Sequence, residues 1–79
     1  MSIHVRLSTT LRDCVPGYDP EQGLEIEAEG LANARELAVR TGLDPADIKV
    51  VMVNGRSRTL DEPVADGDRV AFFPPVGGG

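Results

Sequence analysis

The sequence predicts a small α+β domain, a mixed sheet packed on one face by a single main helix. Three observations lead there. Apolar and polar residues alternate at residues 3–8 and 23–28, the period of half-buried strands, and short apolar runs at 50–53 and 70–73 read as inner strands. One stretch, 34–41, carries apolar residues at helical spacing between a capping asparagine and a glycine. Pro-Gly, Asp-Pro, Asn-Gly and Asp-Gly pairs separate these segments as turns and loops. A chain of 79 residues makes one domain with one small core.

In order, Ile3, Val5 and Leu7 alternate with His4, Arg6 and Ser8, giving a first strand with one buried face. His4 falls on the polar face and reads as solvated rather than as a ligand or base. Residues 9–22 read as a loop punctuated by Pro16-Gly17 and Asp19-Pro20. Leu11, Val15 and Tyr18 tether it, and Thr10 to Cys14 suit a helical turn. Cys14 reads as a small apolar contact, since no histidine lies near it in sequence and no CxxC is present. Residues 23–28 form a second strand, with Glu25 and Glu27 outward, able to pair with the first as a wide-looped hairpin. Asn33 caps the helix at 34–41, and Glu36 is spaced to complete a capping box. Ala34, Leu37, Ala38 and Thr41 make its apolar stripe, Gly42 a left-handed C-cap, and Leu43 the contact beyond it. After a short turn at Asp44–Asp47, Val50–Val53 is the most hydrophobic run and reads as a central strand. Asn54-Gly55 reverses the chain into Arg56–Thr59. Leu60, Pro63 and Val64 cross back over the core to the turn at Ala65–Asp68. The last strand, Arg69–Phe73, puts Val70 and Phe72 on one face and Ala71 and Phe73 on the other. It is expected beside the first strand, in the middle of the sheet, with one aromatic left partly exposed as a binding patch.

Composition narrows the function. A formal charge of -5 argues against nucleic acid, whose binders concentrate positive charge, and favours a soluble monomer meeting a partner with basic patches. One cysteine supplies too few thiolates for a structural zinc site and excludes an internal disulfide, so no metal is expected. No apolar run approaches the roughly 20 residues that cross a bilayer, and no signal-peptide pattern opens the chain. No membrane is expected, and the expected compartment is cytoplasmic. A single histidine and no paired acid and base leave little from which to build a catalytic site.

The sequence closes on Phe72-Phe73-Pro74-Pro75-Val76-Gly77-Gly78-Gly79. The prolines remove two N–H donors and stop the preceding strand. Glycine packs nothing and is costly to order, so it suits a segment that threads a narrow channel and presents a carboxylate there. Extended, Pro75 to Gly79 reaches roughly 17 Å at about 3.4 Å per residue. A frayed chain end remains the plain alternative.

Taken together, the hairpin–helix–hairpin order, Val53-Asn54-Gly55, Asp66-Gly67-Asp68-Arg69-Val70 and the closing Phe72–Val76 with Gly78-Gly79 resemble the ubiquitin-like sulfur-carrier family. The likeness is greatest to the small subunit of molybdopterin synthase, and the thiamin-pathway carrier is a more distant relative. It covers the whole chain and is strongest from Val50 onward. The sequence departs from the pattern where Pro16-Gly17 and Asp19-Pro20 interrupt an amphipathic helix common in molybdopterin-pathway members, and at Gly77, which makes a triglycine.

The resemblance implies a β-grasp fold in residues 1–75 with a flexible glycine tail at 76–79. It implies a carrier rather than an enzyme. An E1-like adenylating enzyme uses ATP and Mg²⁺ to activate the Gly79 carboxylate, a persulfide donor supplies sulfur, and a thiocarboxylate results. No cofactor is held by the carrier itself. Gly79 is then the reacting residue, Gly78 and Gly77 are read by a close-fitting channel, and Phe73, Pro75 and Val76 meet a larger molybdopterin synthase subunit. Sulfur delivery to thiamin or another product, conjugation to proteins, and a noncovalent β-grasp interaction module are the alternatives. Arg56 and Arg58 are either further partner contacts or solvated.

Overall fold

The computed structural model describes residues 2–75, the side chain of Thr9 excepted. They form β1 (Ser2–Leu7), a 3-10 segment at Thr9–Cys14, β2 (Leu24–Glu27), α1 (Ala34–Thr41), a 3-10 turn at Pro45–Asp47, β3 (Val50–Val53), β4 (Arg56–Arg58) and β5 (Arg69–Phe73). The strands lie in the order β2-β1-β5-β3-β4. β1 and β5 run parallel, and every other neighbouring pair is antiparallel. With α1 packed on one face, this is the β-grasp fold. β3 is an inner strand, but the middle place belongs to β5, because β5 alone joins the β1–β2 hairpin to the β3–β4 hairpin.

Alternation determines what is buried. Ile3, Val5 and Leu7 of β1, Val51 and Val53 of β3, and Val70 and Phe72 of β5 all face the helix. Ala34, Leu37 and Ala38 meet them from α1, and Leu11, Leu43, Ile48 and Val64 close the edges of the core. Phe72, wholly buried, is its largest side chain.

The helix is fixed at both ends by side-chain and backbone chemistry. Asn33, extended at φ -151°, accepts the Glu36 N–H through its side chain at 3.0 Å. Glu36 reaches back to the Ala32 N–H at 2.9 Å, one residue beyond the capping-box position. At the other end Gly42 adopts φ 107°, and the Leu43 N–H bonds the Ala38 carbonyl at 2.9 Å. That left-handed turn disfavours any residue with a Cβ and sends buried Leu43 back against the core. Arg40 donates to the carbonyls of Glu27 and Glu29 at 2.9 and 2.7 Å, fastening the last helical turn to the chain leaving β2.

The segment between β1 and β2 contains the short 3-10 stretch and no long helix. It is held by straps to β1. The Leu7 N–H donates to the Tyr18 hydroxyl at 2.8 Å, and Arg12 Nε donates to the Leu7 carbonyl at 3.0 Å. Arg6 donates to the carbonyls of Pro20 and Glu21 at 2.9 and 3.0 Å. Cys14 corrects the expectation of an apolar contact, for it is exposed. It ends the 3-10 segment, and the extended backbone at Val15 brings Val15 against the core in its place. Among the described residues no helix is long and apolar enough to cross a membrane.

Candidate functional site

The face of the sheet away from α1 is where the strands leave their second set of side chains. On β5 these are Arg69, Ala71 and Phe73, the last two half-buried. Register sets Ala71 between Arg6 of β1 and Met52 of β3, and Phe73 beside Val50. Met52, Ala71 and Phe73 line a shallow groove of about 270 Å³, bordered by His4, Arg6 and Arg69. A second groove of about 350 Å³ runs alongside, lined by His4, Arg6, Glu25 and Arg69. The partly exposed aromatic expected at Phe73 therefore sits on an apolar strip.

The end of β5 is held from both sides. The Ser8 N–H bonds the Phe72 carbonyl at 3.1 Å and the Lys49 N–H bonds the Phe73 carbonyl at 2.8 Å. Pro74 and Pro75 follow with no N–H to continue the ladder, so pairing stops there. Pro75 is exposed. Val76, Gly77, Gly78 and Gly79, expected to recognise partners and to react, lie outside the described residues, as does the expected 76–79 tail.

The polar side of this face differs from the sequence expectation in one respect. His4 is paired rather than simply solvated: its Nδ1 lies 3.0 Å from Glu25 Oε1, and its side chain is 26% exposed. That hydrogen bond, with one from Ser2 Oγ at 3.0 Å, holds the Glu25 carboxyl below its ordinary 4.5. Arg56 and Arg58 stand opposite Val53 and Val51 on the edge strand β4, so their parity is that of the helix-facing side. They are exposed but do not border the Met52–Phe73 strip. Among the described residues no group of three or more His, Cys, Asp or Glu side chains is placed to hold a metal ion.

Sequence reasoning missed Arg6, Met52 and Arg69 as members of this face. Met52 is hidden in a run of valines, where only the register with Ala71 reveals its direction. Arg6 and Arg69 each look like ordinary polar positions of separate strands, and only the parallel pairing of β1 with β5 brings them together.

A five-stranded mixed sheet grasping one helix, with its middle strand running out to an aromatic and two prolines, defines a ubiquitin-like β-grasp protein. The chain belongs to the ThiS family, whose model matches residues 5–79, and so to the β-grasp sulfur-carrier superfamily. Members of that family are small carrier or modifier proteins, so the chain is not an enzyme. No curated protein gives a significant match. Among solved structures, the putative molybdopterin converting factor, subunit 1, from Pyrococcus furiosus is 28% identical, with a TM-score of 0.66 over 96% of this chain and 99% of that one. A Haloferax volcanii protein solved in solution, HVO 2177, is 27% identical, with a TM-score of 0.68 over 100% of this chain and 87% of that one. SAMP1 from Haloferax volcanii covers 100% of both chains with a TM-score of 0.68 at 24% identity, a likeness of fold alone.

Proposed function

We propose that the chain is a sulfur carrier for molybdopterin synthesis, loaded as a thiocarboxylate at Gly79. The observation that carries this reading is the junction at Phe73-Pro74-Pro75. A strand bonded on both sides ends in an aromatic on the open face, and the sequence then runs into Val76-Gly77-Gly78-Gly79. The 28% identity to the putative molybdopterin converting factor subunit supports the pathway. In this reading residues 1–75 are the recognition domain and 76–79 the flexible tail. Phe73, Pro75 and Val76 meet the larger synthase subunit, while Gly77 and Gly78 fit a channel too narrow for a Cβ.

A carboxylate is a poor electrophile, because attack on it must expel an oxide-like group. An E1-like partner solves this with ATP and Mg²⁺. The Gly79 carboxylate attacks the α-phosphorus, pyrophosphate leaves, and the carboxyl now carries AMP as a good leaving group. The sulfur of a persulfide donor displaces AMP, and a thiol reduces the resulting S–S bond to free the thiocarboxylate. The carrier contributes its acyl group and its docking face.

The test is intact mass after incubation with the E1-like enzyme, ATP, Mg²⁺ and a persulfide donor. Exchange of one oxygen for sulfur adds about 16 Da, and fragmentation must place it on Gly79 rather than as oxidation of Met1, Met52 or Cys14. The loaded chain is then given to the larger molybdopterin synthase subunit with its precursor, where sulfur transfer is expected. A second reading, sulfur delivery to thiamin, is favoured by the family whose model matches. Transfer only to the thiamin precursor would select it, and branched Gly-Gly remnants on lysines would select protein conjugation.

A further inference from the structure

The open face holds two arginines that the sulfur chemistry leaves without a role. Arg69 and Arg6 border both grooves, polar and apolar, on the same face as Met52, Ala71 and Phe73. Arg6 gives its donors to two backbone carbonyls, which orient the guanidinium and leave its charge uncancelled. Arg69 makes no side-chain hydrogen bond and no ion pair among the described residues. One carboxylate, Glu25, lines the polar groove with them; its bonds from His4 and Ser2 hold it ionised, so its single negative charge offsets at most one of the two guanidiniums. A protein of net charge -5 thus keeps an excess of positive charge at the border of its apolar strip, two guanidiniums to one carboxylate across the two grooves. Its overall charge favours a basic partner, and the local arrangement opposes that.

We propose that Arg6 and Arg69 select a protein partner whose docking surface sets carboxylates around an apolar centre. This rests on the carrier role proposed above, and the partner is the E1-like adenylating enzyme that activates the chain. The apolar centre covers Met52, Ala71 and Phe73, and the carboxylates meet the two guanidiniums at the border. A neutral or basic surface closing over the strip leaves Arg69 desolvated without a partner or against a like charge, and either is costly. Charges at the border of an interface act mainly on encounter rate and on the choice of partner, so the two arginines set which surface docks while Phe73 supplies contact area.

The experiment uses the full chain and the E1-like adenylating enzyme of the same organism, with ATP–pyrophosphate exchange measured against carrier concentration between low and physiological salt. Arg69→Glu is expected to raise the half-saturating concentration about fivefold or more, leave the maximum rate unchanged and flatten the salt dependence. Arg69→Lys is expected to restore most of the affinity. Circular dichroism on the same preparations checks folding, which is expected to survive because the Arg69 side chain makes no hydrogen bond or ion pair among the described residues. Wild-type half-saturation and salt dependence in Arg69→Glu overturn the inference while the carrier reading stands. No exchange with the wild-type chain overturns the carrier reading and the inference with it. Binding of a 20-nucleotide single-stranded DNA at physiological salt, lost in Arg69→Glu, would show the cations serve nucleic acid and overturn the choice of a protein partner.

Discussion

Gly23 stands where the chain enters β2, at φ 70°, and a Cβ built there would lie 2.8 Å from the Val5 carbonyl oxygen and 2.9 Å from His4 Nε2. The backbone conformation and the space both exclude a larger residue, so Gly23→Ala is expected to cost about 2 kcal/mol or more, read from urea unfolding. The neighbouring Glu25 gives the fold a pH dependence of known sign. Its carboxyl is held below its ordinary 4.5 by the His4 and Ser2 bonds, so the folded state favours the ionised form. The stabilisation is present above the unfolded value and is lost as pH falls from about 4.5 through the lower folded value. The difference in thermal midpoint between wild type and Glu25→Gln should therefore be present at neutral pH and vanish in strong acid. A difference unchanged down to acid would assign it to something other than this ionisation. In the docking role proposed for it, Phe73 is the residue whose loss is expected to separate docking from stability. It is half-buried on the open face, and Phe73→Ala is expected to weaken binding to the larger synthase subunit by roughly 1–3 kcal/mol, measured by calorimetry.

The strand edges and the long connection show how much of this fold is legible in the residues and why the rest is not. Alternation located β1 and β2, a short apolar run after the Ala65–Asp68 turn located β5, and the Asn33, Glu36, Gly42 and Leu43 pattern located α1, because each is a local rule written over a few neighbours. The same rules identified the Asn54-Gly55 reversal, where Asn54 takes φ 52°. Leu11, Val15 and Tyr18 were legible as tethers of the 9–22 connection, but the hydrogen bonds that strap it to β1 were not. A hydroxyl meeting a backbone amide eleven residues earlier follows no period, and neither does an arginine reaching carbonyls fourteen and fifteen residues on. Cys14 was misread for the same reason, since its exposure depends on where the 3-10 segment ends. β2 pairs with β1 only from Ser2 to Val5, which leaves Leu7 beyond the hairpin, where Tyr18 serves its N–H and Arg12 its carbonyl. Tyr18→Phe removes one of these and is expected to cost about 1 kcal/mol, with faster hydrogen exchange at the Leu7 amide. Exchange at Leu7 that stays as slow as in wild type would show that another group closes this edge.

Taken as one body, the molecule packs its core on the α1 side of the sheet and leaves the other side to the recognition proposed for it. Of the candidate site, Phe73 stands out in the sequence and lies on the open face, the glycine run lies outside the described residues, and the Arg6–Arg69 border exists only once β1 and β5 lie side by side. That division allows the reacting end to be tested without disturbing the fold. Deleting Gly79 removes no core side chain and draws the carboxylate back by about 3.4 Å, so the circular dichroism spectrum should be unchanged while ATP–pyrophosphate exchange is abolished. A folded deletion variant that exchanges at the wild-type rate would remove Gly79 from its proposed role.

The middle position of β5 has a consequence for synthesis. Before Arg69–Phe73 emerges from the ribosome, the chain holds two hairpins with no strand between them and a core lacking Phe72. The contacts that complete the domain join β5 to β1 and β3, so folding is expected to wait until β5 is available instead of proceeding piece by piece. A nascent chain cut short before β5 would then give chaperones and proteases an open sheet to act on, and translation through β5 becomes the checkpoint for a folded body.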